Sequence, residues 1–536
     1  MGQQGERYGW IALGDINGFF GLTFDNLAVL SFLAGTLTIG FNFPAEIVYK
    51  YMFPGTTFGV LFGDLLYSWM AFRVARRTGA REVTAMPLGL DTPSTIGIAL
   101  TVLGPAFVAL KQDGHTPESA AMNAWYIGMA TMVMIGVLKV VLSFCGKWVQ
   151  RVVPRAGLLG SIAGVGLCLI GFIPLVDIFG LPVVGMISLG LILYTLVARI
   201  NLPKNIPGVL AAIVIGTASY HAYHLLGPGA QAATYAPPVW QFHFGFPVPT
   251  LDFINGIVPA LKYLPIAIPF GILTVVGGIN VTESARVAGD DYDSRHILLT
   301  EAVATLVAGI CGGVAQSCPY IGHPAYKQMG CRSGYTILTG LFIGLGGIAG
   351  YVSFFVELIP RAVLAPIMVF VALEIVSQAF IHSPRSHIPA VTFAAFPTVA
   401  RLVSIYLENP EIVPPDHFQH LLEKTGGALP ETLVMVALGN GFILTGMLWG
   451  AFLAELIDHR LKVCSLYLVI LGILAFFGII HSFSPDASVY LPWLLTGPAR
   501  EIPYQFAESY AVLAALVFAL SFEKAVISRK DGGTSI

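Results

Sequence analysis

The chain has 536 residues, of which 56% are hydrophobic and only 11% are charged, whereas about a quarter of the residues in a soluble domain carry a charge. Its mean hydropathy is +0.77, and this composition excludes a soluble globular protein. A formal net charge of −2 provides no basic surface, so we expect no nucleic-acid partner. The sequence predicts a protein that lies in membrane lipid along its whole length.

Apolar stretches of about 20 residues, each able to cross a hydrocarbon layer roughly 30 Å thick, recur from end to end. We predict about 14 spans, with up to two further helices at the C-terminal end. The predicted spans are 23–40, 55–72, 91–110, 124–145, 158–175, 183–197, 208–221, 266–282, 298–312, 324–330, 335–357, 363–379, 389–405 and 431–456, and the two additions are 466–480 and 509–520.

Lysine and arginine collect in cytoplasmic loops, and in this chain most of them follow the even-numbered spans. The loop after the second span contains Arg73, Arg76, Arg77 and Arg81, while Lys139 lies inside a span. By this rule roughly 20 of the basic residues fall on one side and about 7 on the other. We therefore predict that both termini are cytoplasmic, and that the membrane is a bacterial inner membrane. The N-terminus lacks the basic region and cleavage site of a signal peptide.

Two predicted spans share an interruption. Segments 82–93 (EVTAMPLGLDTP) and 313–324 (GVAQSCPYIGHP) each place an extended run before a Pro, a Gly, a polar residue and a second Pro. Proline is tolerated at the start of a helix because the N–H that it lacks would have no partner there. Each of these spans is therefore predicted to be half strand and half helix.

The interrupted spans, the third and the tenth, stand seven apart. An odd offset gives them opposite orientations in the membrane, which is typical of inverted seven-span repeats in transporters. Irregular backbone at membrane depth is tolerated where it lines a cavity, and the half-helix N-termini would point their partial positive charge at a ligand there. We predict a first repeat at 1–225, an extracytoplasmic connector at 226–260, a second repeat at 261–460 and additional helices with a tail at 461–536.

The chain resembles the nucleobase/ascorbate transporter family of xanthine and uracil permeases, and within it the adenine/guanine/hypoxanthine permease branch. The resemblance lies in Thr282-Glu283-Ser284, in Tyr320-Ile321, in the segment 332–336 and in the third-span segment 85–91. It implies a fold of 14 spans in two inverted repeats, a core domain and a gate domain, and a homodimer. The chain departs from the family at the tenth span, where the family has a glutamate or the signature Asn-x-Gly-x-x-x-x-Thr. This chain has Tyr320-Ile321-Gly322 and then Lys327 there, so only the glycine fits.

By this resemblance Glu283 is the carboxylate that binds a purine or pyrimidine ring, and Asn280 lies on the same helix face three residues earlier. The alternative interpretation is a charge at a cytoplasmic helix end, since Arg286 follows closely. Asp25, early in the first span, is a candidate for ion coupling or the interfacial end of its helix. Phe24 beside it is a candidate for stacking on a planar ligand.

The interruptions supply the remaining candidates. Asp91 precedes Thr92-Pro93 and suits a helix cap, substrate contact or ion coupling. His323 precedes Pro324 in the equivalent place and is able to bind substrate or carry a proton near neutral pH. Tyr320 and Gln316 border the second interruption, Tyr320 as a stacking surface or as part of the packed core. Glu283, which burial would favour for proton uptake, is also a candidate for ion coupling.

The chain has no Walker, His-Glu-x-x-His or Gly-x-Ser-x-Gly motif, so we expect neither an enzyme nor a cofactor, and no metal site. The leading hypothesis is cation-coupled symport, with a proton or sodium ion, of a nucleobase or a similar small planar solute. An alternative keeps the fold and changes the cargo to an inorganic anion such as bicarbonate or sulfate. Such a site would need a cation, and not a carboxylate, beside the helix ends, so the position of Glu283 discriminates between the two. A third alternative is a receptor or scaffold without transport.

Overall fold

The structure is a computed structural model that describes residues 8–152, 155–226, 241–320, 322–409, 412–423, 429–485, 487, 489–496 and 500–531. Its helices are α1 (Gly14–Gly35), α2 (Ala45–Ile47), α3 (Phe53–Thr78), α4 (Thr92–Ile98), α5 (Gly104–Gln112), α6 (Pro117–Val152), α7 (Arg155–Val165), α8 (Ile173–Gly180), α9 (Pro182–Ile192), α10 (Gly208–Leu226), α11 (Phe253–Ala260), α12 (Leu264–Val287), α13 (Ser294–Ile310), α14 (His323–Gln328), α15 (Gly334–Ala349), α16 (Tyr351–Leu358), α17 (Arg361–Ile381), α18 (Ile388–Leu407), α19 (Pro415–Leu422), α20 (Glu431–Gly439), α21 (Phe442–Ile457), α22 (Leu461–Phe476) and α23 (Glu501–Asp531).

Two short strands, β1 (Leu88–Leu90) and β2 (Ser317–Pro319), complete the regular structure. Several helices continue through a wider, π-helical turn, which marks a local rearrangement of the hydrogen-bond ladder. These turns are Thr36–Gly40, Val48–Met52, Ala99–Leu103, Gly166–Phe172 and Leu193–Val197. Single 3₁₀ turns lie at Pro203–Asn205, Leu261–Tyr263, Arg385–His387 and Pro492–Leu494.

Within the described residues, nine helices are long and apolar enough to cross a membrane, or up to eleven if each bent pair is one span. The bent pairs are α15 with α16, at 96°, and α20 with α21, at 84°. The sequence predicts each pair as a single span without a bend, at 335–357 and 431–456. Gly350 and Gly441 stand at the bends with φ of +82° and +70°, a conformation that glycine adopts without strain.

The chain forms two compact units, of which unit 1 comprises residues 1–149 and 170–372. Its helices α3 and α15 approach so closely that glycine is required between them. A Cβ atom on Gly344 would lie 2.4 Å from Leu61 Cβ, and one on Gly340 would lie 2.9 Å from Asp64 Cβ. Small residues that let backbones approach are typical of helix contacts in membranes.

Unit 2 comprises residues 150–169 and 373–536. Glycine again sets its helix spacing, since a Cβ atom on Gly157 of α7 would lie 2.2 Å from the Met447 carbonyl oxygen of α21. The two C-terminal helices, α22 and α23, pack against α21 through an apolar cluster that includes Leu448, Leu468 and Val517. These are the additional C-terminal helices that the sequence predicts at 466–480 and 509–520, and both are longer than predicted.

Both predicted interruptions are confirmed as half strand and half helix. The first runs from β1 into α4, and the second runs from β2 to α14, as the proline and glycine patterns indicate. The first span is longer than predicted, because α1 begins at Gly14 rather than near residue 23. Ile321 and part of the predicted connector, 227–240, lie outside the described residues.

Candidate substrate site at the strand pair

The two interrupted spans meet through their strands. β1 and β2 pair antiparallel, with Leu88 opposite Pro319, Gly89 opposite Cys318 and Leu90 opposite Ser317. Further backbone bonds extend the pair, from Asp91 N to the Gln316 carbonyl and from Tyr320 N to the Pro87 carbonyl, both at 2.8 Å. The pairing gives partners to backbone groups that lipid would leave unsatisfied. It also brings the starts of α4 and α14 into one region of unit 1.

Asp91 caps α4 and joins the second interruption. Its Oδ2 accepts a hydrogen bond from Ser94 N at 2.9 Å, as a helix cap does. The same oxygen accepts from Gln316 Nε2 at 3.4 Å, and Oδ1 accepts from Cys318 Sγ at 3.3 Å. Two of the predicted site residues, Asp91 and Gln316, are therefore in direct contact.

A buried lysine, Lys139 of α6, lies beside this contact. Its Nζ is 2.5 Å from Glu301 Oε1 of α13, and neither side chain is exposed. It also donates hydrogen bonds to Gln316 Oε1 at 3.2 Å, to the Ser317 carbonyl at 3.1 Å and to Thr305 Oγ1 at 3.1 Å. A fully buried cation therefore lies beside β2, on the side of the strand pair that faces α6 and α13.

Two further carboxylates face β1. Asp64 Oδ1 of α3 accepts from Leu88 N at 3.3 Å, and a Cβ atom on Gly89 would lie 3.7 Å from Asp25 Oδ2 of α1. Neither oxygen of Asp25 has a hydrogen-bond partner among the described residues, and the same holds for Asp64 Oδ2. Both side chains are buried. Buried polar atoms without partners are rare and call for an explanation, such as a functional role or a bound ion or water.

Two buried hydroxyl groups near the strand pair also lack partners within the described part of the chain. One belongs to Ser317, whose carbonyl oxygen accepts from Lys139, and the other to Thr95, in the first turn of α4. A hydroxyl group is able to donate to an anion or to accept from a ligand N–H.

His323 lies at the start of α14, and it contacts the protein rather than open space. Its Nε2 is 3.3 Å from Asp290 Oδ2 and 3.2 Å from the Thr84 carbonyl oxygen. Lys327 Nζ binds the other oxygen of Asp290 at 2.6 Å. The histidine therefore belongs to a polar cluster that ties α14 to the segment before β1. Tyr8 ties the same segment from the other side, by donating to the Val83 carbonyl at 2.6 Å, and burial raises the pKa of Tyr8 to about 12.

The predicted aromatic residues occupy half-buried positions. Tyr320 follows β2 and meets Tyr326 edge to face, with ring centroids 6.3 Å apart. Phe24 stacks on Phe20 along α1 at 6.1 Å. The structure places each of them on an interrupted or neighbouring span, and their role in binding stays a prediction.

Glu283 and Asn280 do not join this group. Both side chains are exposed near the C-terminal end of α12, and Glu283 Oε1 is 2.5 Å from Arg286 Nη2 with 56% of its side chain exposed. This is the helix-end ion pair that was the alternative interpretation of the sequence. Its role in binding or ion coupling stays a prediction that its position does not support.

Sequence reasoning missed Lys139, Glu301 and Asp64 as site residues. A signal for them was present, because ionisable residues inside spans are costly and usually functional. All three lie within predicted spans. No group of three or more histidine, cysteine or acidic residues arranged to hold a metal ion occurs in the described part of the chain. The six cysteines are free thiols.

No protein-family model matches the sequence, and no curated protein sequence matches it. Solved structures do match. The structure of SLC26A9 gives a TM-score of 0.51 at 13% identity, over 83% of this chain and 65% of that one. The structure of murine Slc26a9, an anion transporter in the inward-facing state, gives a TM-score of 0.51 at 13% identity, over 83% of this chain and 68% of that one.

The transmembrane domain of the cyanobacterium bicarbonate transporter BicA gives a TM-score of 0.47 at 17% identity, over 75% of this chain and 98% of that one, too low to support an argument. This chain spans about two thirds of the length of the SLC26A9 structure. At these identities the likeness concerns the fold alone, and the resemblance to nucleobase permeases stays a prediction. The chain is an all-α polytopic membrane protein with two inverted seven-helix repeats and additional C-terminal helices, and it shares this fold with the SLC26A9 structures.

Proposed function

We propose that this protein is a secondary transporter of a small inorganic anion. The observation that carries the proposal is the buried ammonium group of Lys139 at the strand pair. An anion that leaves water needs a cation to balance its charge. Lys139 supplies that cation at the strand pair, where it donates to the carbonyl oxygen of Ser317 on β2, while the carboxylate of Asp91 caps α4.

The position of Glu283 also favours an anion over a nucleobase. A carboxylate that accepts two N–H donors of a purine must face the binding site, whereas Glu283 lies at an exposed helix end and pairs with Arg286. The fold agrees with this choice, since murine Slc26a9, which has it, is an anion transporter.

The unpartnered hydroxyl groups of Thr95 and Ser317 are suitable donors for the oxygen atoms or the halide of an anion. Thr95 lies in the first turn of the helical run Thr92–Gln112, whose N-terminal end carries partial positive charge. Lys139 and this helix end supply positive charge for an anion that has left water, and the two hydroxyl groups supply hydrogen-bond donors.

The acidic residues of unit 1 support coupling to a cation. Asp25, Asp64, Asp91 and Glu301 are buried near the strand pair with Lys139, which gives four carboxylates to one lysine. Buried carboxylates without a cation or a donor are too costly to stay charged, so a proton or a sodium ion accompanies the anion. We further propose a homodimer in a bacterial inner membrane with both termini in the cytoplasm and lipid around the spans.

Uptake into proteoliposomes tests the proposal. Radiolabelled chloride, nitrate, sulfate and bicarbonate are compared with uracil, adenine and xanthine, at matched external concentrations. We expect uptake of at least one anion above empty vesicles, with competition by unlabelled anion. Uptake of a nucleobase without any anion would overturn the proposal and favour the nucleobase hypothesis, and no uptake of either class would favour a receptor or scaffold.

A further inference from the structure

The ion pair between Lys139 and Glu301 masks the cation on which the proposed function depends. The ammonium nitrogen lies 2.5 Å from Glu301 Oε1, and both side chains are fully buried. A lysine whose charge is matched by a carboxylate presents no net positive charge to an anion. Some event must therefore remove the negative charge of Glu301 before Lys139 can bind cargo.

Three uncharged acceptors hold Lys139 independently of Glu301. They are Thr305 Oγ1 at 3.1 Å, Gln316 Oε1 at 3.2 Å and the Ser317 carbonyl oxygen at 3.1 Å. An ammonium group has three N–H donors, so these three acceptors are enough to orient it. Because they are neutral, they leave its charge in place when Glu301 becomes neutral. The lysine would then stay in position with its charge available.

Other ionisable groups face Glu301 from the elements around α13. These groups are Asp91 before α4, Cys318 on β2 and Tyr67 on α3, besides Lys139 on α6. α12 presents uncharged groups, since Thr274 faces the carboxylate and a Cβ atom on Gly278 would lie 2.9 Å from Glu301 Oε2.

Asp91 does not contact Lys139 directly. Its carboxylate accepts from Ser94 N, Gln316 Nε2 and Cys318 Sγ, so it has donors of its own. With both carboxylates ionised, Asp91, Glu301 and Lys139 carry −1, −1 and +1, a net charge of about −1. A proton on Glu301 brings the group to zero. A monovalent anion meets net repulsion in the first state and none in the second.

We infer that Glu301 is the proton acceptor that links anion binding to pH, because a proton on this carboxylate frees the charge of Lys139 for the anion. One proton and one monovalent anion then bind together, and the loaded site gains no net charge. This inference rests on the proposed function and names its coupling residue. It differs from the sequence analysis, which placed ion coupling on Glu283, Asp25 and Asp91.

The pH dependence of chloride uptake tests the inference. Initial rates are measured in proteoliposomes across a range of pH, with the membrane potential clamped, for the wild type, Glu301→Gln and Glu283→Gln. If one proton is linked to binding, the KM of the wild type for chloride falls by up to about tenfold for each unit of decrease in pH. We expect Glu301→Gln, which mimics the protonated form, to have a low KM that does not change with pH.

Glu283→Gln is the matched control, since it makes the same chemical change at an exposed site. Its KM for chloride should change with pH as that of the wild type does. A slope in Glu301→Gln equal to that of the wild type, or a wild-type KM that does not depend on pH, would overturn the inference while leaving anion transport intact. A failure of the wild type to take up any anion would instead overturn the proposed function.

A second variant covers the case in which Glu301→Gln does not fold with a buried, unpaired lysine. The double variant Lys139→Gln/Glu301→Gln removes both charges and keeps polar side chains of similar length. We expect it to elute as a single species in size-exclusion chromatography and to show a KM for chloride at least tenfold higher than the wild type at low pH, without pH dependence. If this variant had the KM for chloride of the wild type, or the same dependence of KM on pH, Lys139 and Glu301 would be excluded from proton-coupled anion binding.

Discussion

Around β1 and β2, unit 1 buries four carboxylates and a lysine, whereas the helices of unit 2 meet through glycine, alanine and aromatic side chains. In unit 2, a Cβ atom on Gly446 would lie 2.3 Å from the Ala394 carbonyl oxygen, and Phe393 stacks on Trp449 with centroids 4.8 Å apart. Unit 2 also buries polar groups. Arg401 pairs there with Glu408 at 3.2 Å, and Asn440 Nδ2 donates to the backbone carbonyls of Ser482 and Ser484.

The two units differ in how their buried interior is stabilised. Small-residue packing in unit 2 needs no ligand to be stable, because close backbone approach supplies van der Waals contact directly. The buried charges of unit 1 are expensive in a membrane, and several of their oxygen atoms lack a partner among the described residues. The proposed site lies where unit 1 buries these charges, so substitutions in the two units should have different consequences.

The largest effect should come from breaking the buried pair on one side. Lys139→Met leaves Glu301 buried without its cation, and removal of one partner of such a pair costs about 3–5 kcal/mol. We expect the free energy of unfolding, measured by denaturation in mixed micelles, to fall by that amount, and anion uptake to be lost.

Lys50→Met is the control for that experiment. Lys50 forms an exposed i,i+4 ion pair with Glu46, and such pairs contribute only about 0–1 kcal/mol. Equal destabilisation by the two substitutions would show that Lys139 is not held in a dry environment, and the contrast between the units would lose its basis.

A substitution in unit 2 should affect stability and leave the chemistry of transport unchanged. A Cβ atom on Gly157 would lie 2.2 Å from the Met447 carbonyl oxygen and 2.7 Å from Ala451 N, so Gly157→Ala forces α7 and α21 apart. Overpacking of this kind costs about 1–3 kcal/mol. The melting temperature should fall, while the pH dependence of uptake stays that of the wild type.

Gly190→Ala serves as the comparison, because no atom lies within 4 Å of a Cβ atom at that position. It should leave the melting temperature unchanged or raise it slightly, since alanine is the better helix former. If Gly157→Ala were as harmless as Gly190→Ala, the helix contact in unit 2 would be looser than the structure shows.

A smaller effect is expected at the aromatic cluster that holds α23. The Tyr510 hydroxyl contacts Trp449 Nε1 and His481 Nε2, each at 2.8 Å. Tyr510→Phe removes that hydroxyl and leaves both ring nitrogens without this hydrogen-bond partner. The free energy of unfolding should fall by about 1–3 kcal/mol. We expect a lower melting temperature with normal anion uptake, and a loss of uptake at full stability would assign the C-terminal helices a role in transport.

The fold was predictable from the sequence because its causes are local. Proline and glycine at 87–93 and 319–324 indicate a strand that ends where a helix begins, and the odd offset between the two spans indicates their opposite orientation. The bends at Gly350 and Gly441 were missed, because a single glycine in an apolar run is compatible with a straight helix.

The site was only half predictable, because its members come from separate spans. Asp91 and Gln316 flank the interruptions, so their contact follows from the strand pairing. Lys139 and Glu301 lie in spans without irregularity, and only the packing of α6 beside α13 brings them together. Glu283 was assigned by resemblance, and the resemblance does not report which way an end-of-helix side chain faces.

The smallest effect should come from Glu283→Gln, and this variant separates the two transport hypotheses most directly. Its ion pair with Arg286 is more than half exposed on both sides, so its loss should change stability by less than about 1 kcal/mol. If the cargo is an anion bound near Lys139, the KM and the maximal rate of uptake should match those of the wild type within about twofold, a difference of roughly 0.4 kcal/mol. If the cargo is a nucleobase bound by Glu283, the same variant should lose uptake altogether while it stays folded. A stable variant that cannot transport would thus return the site to α12 and remove the reason for placing it beside Lys139.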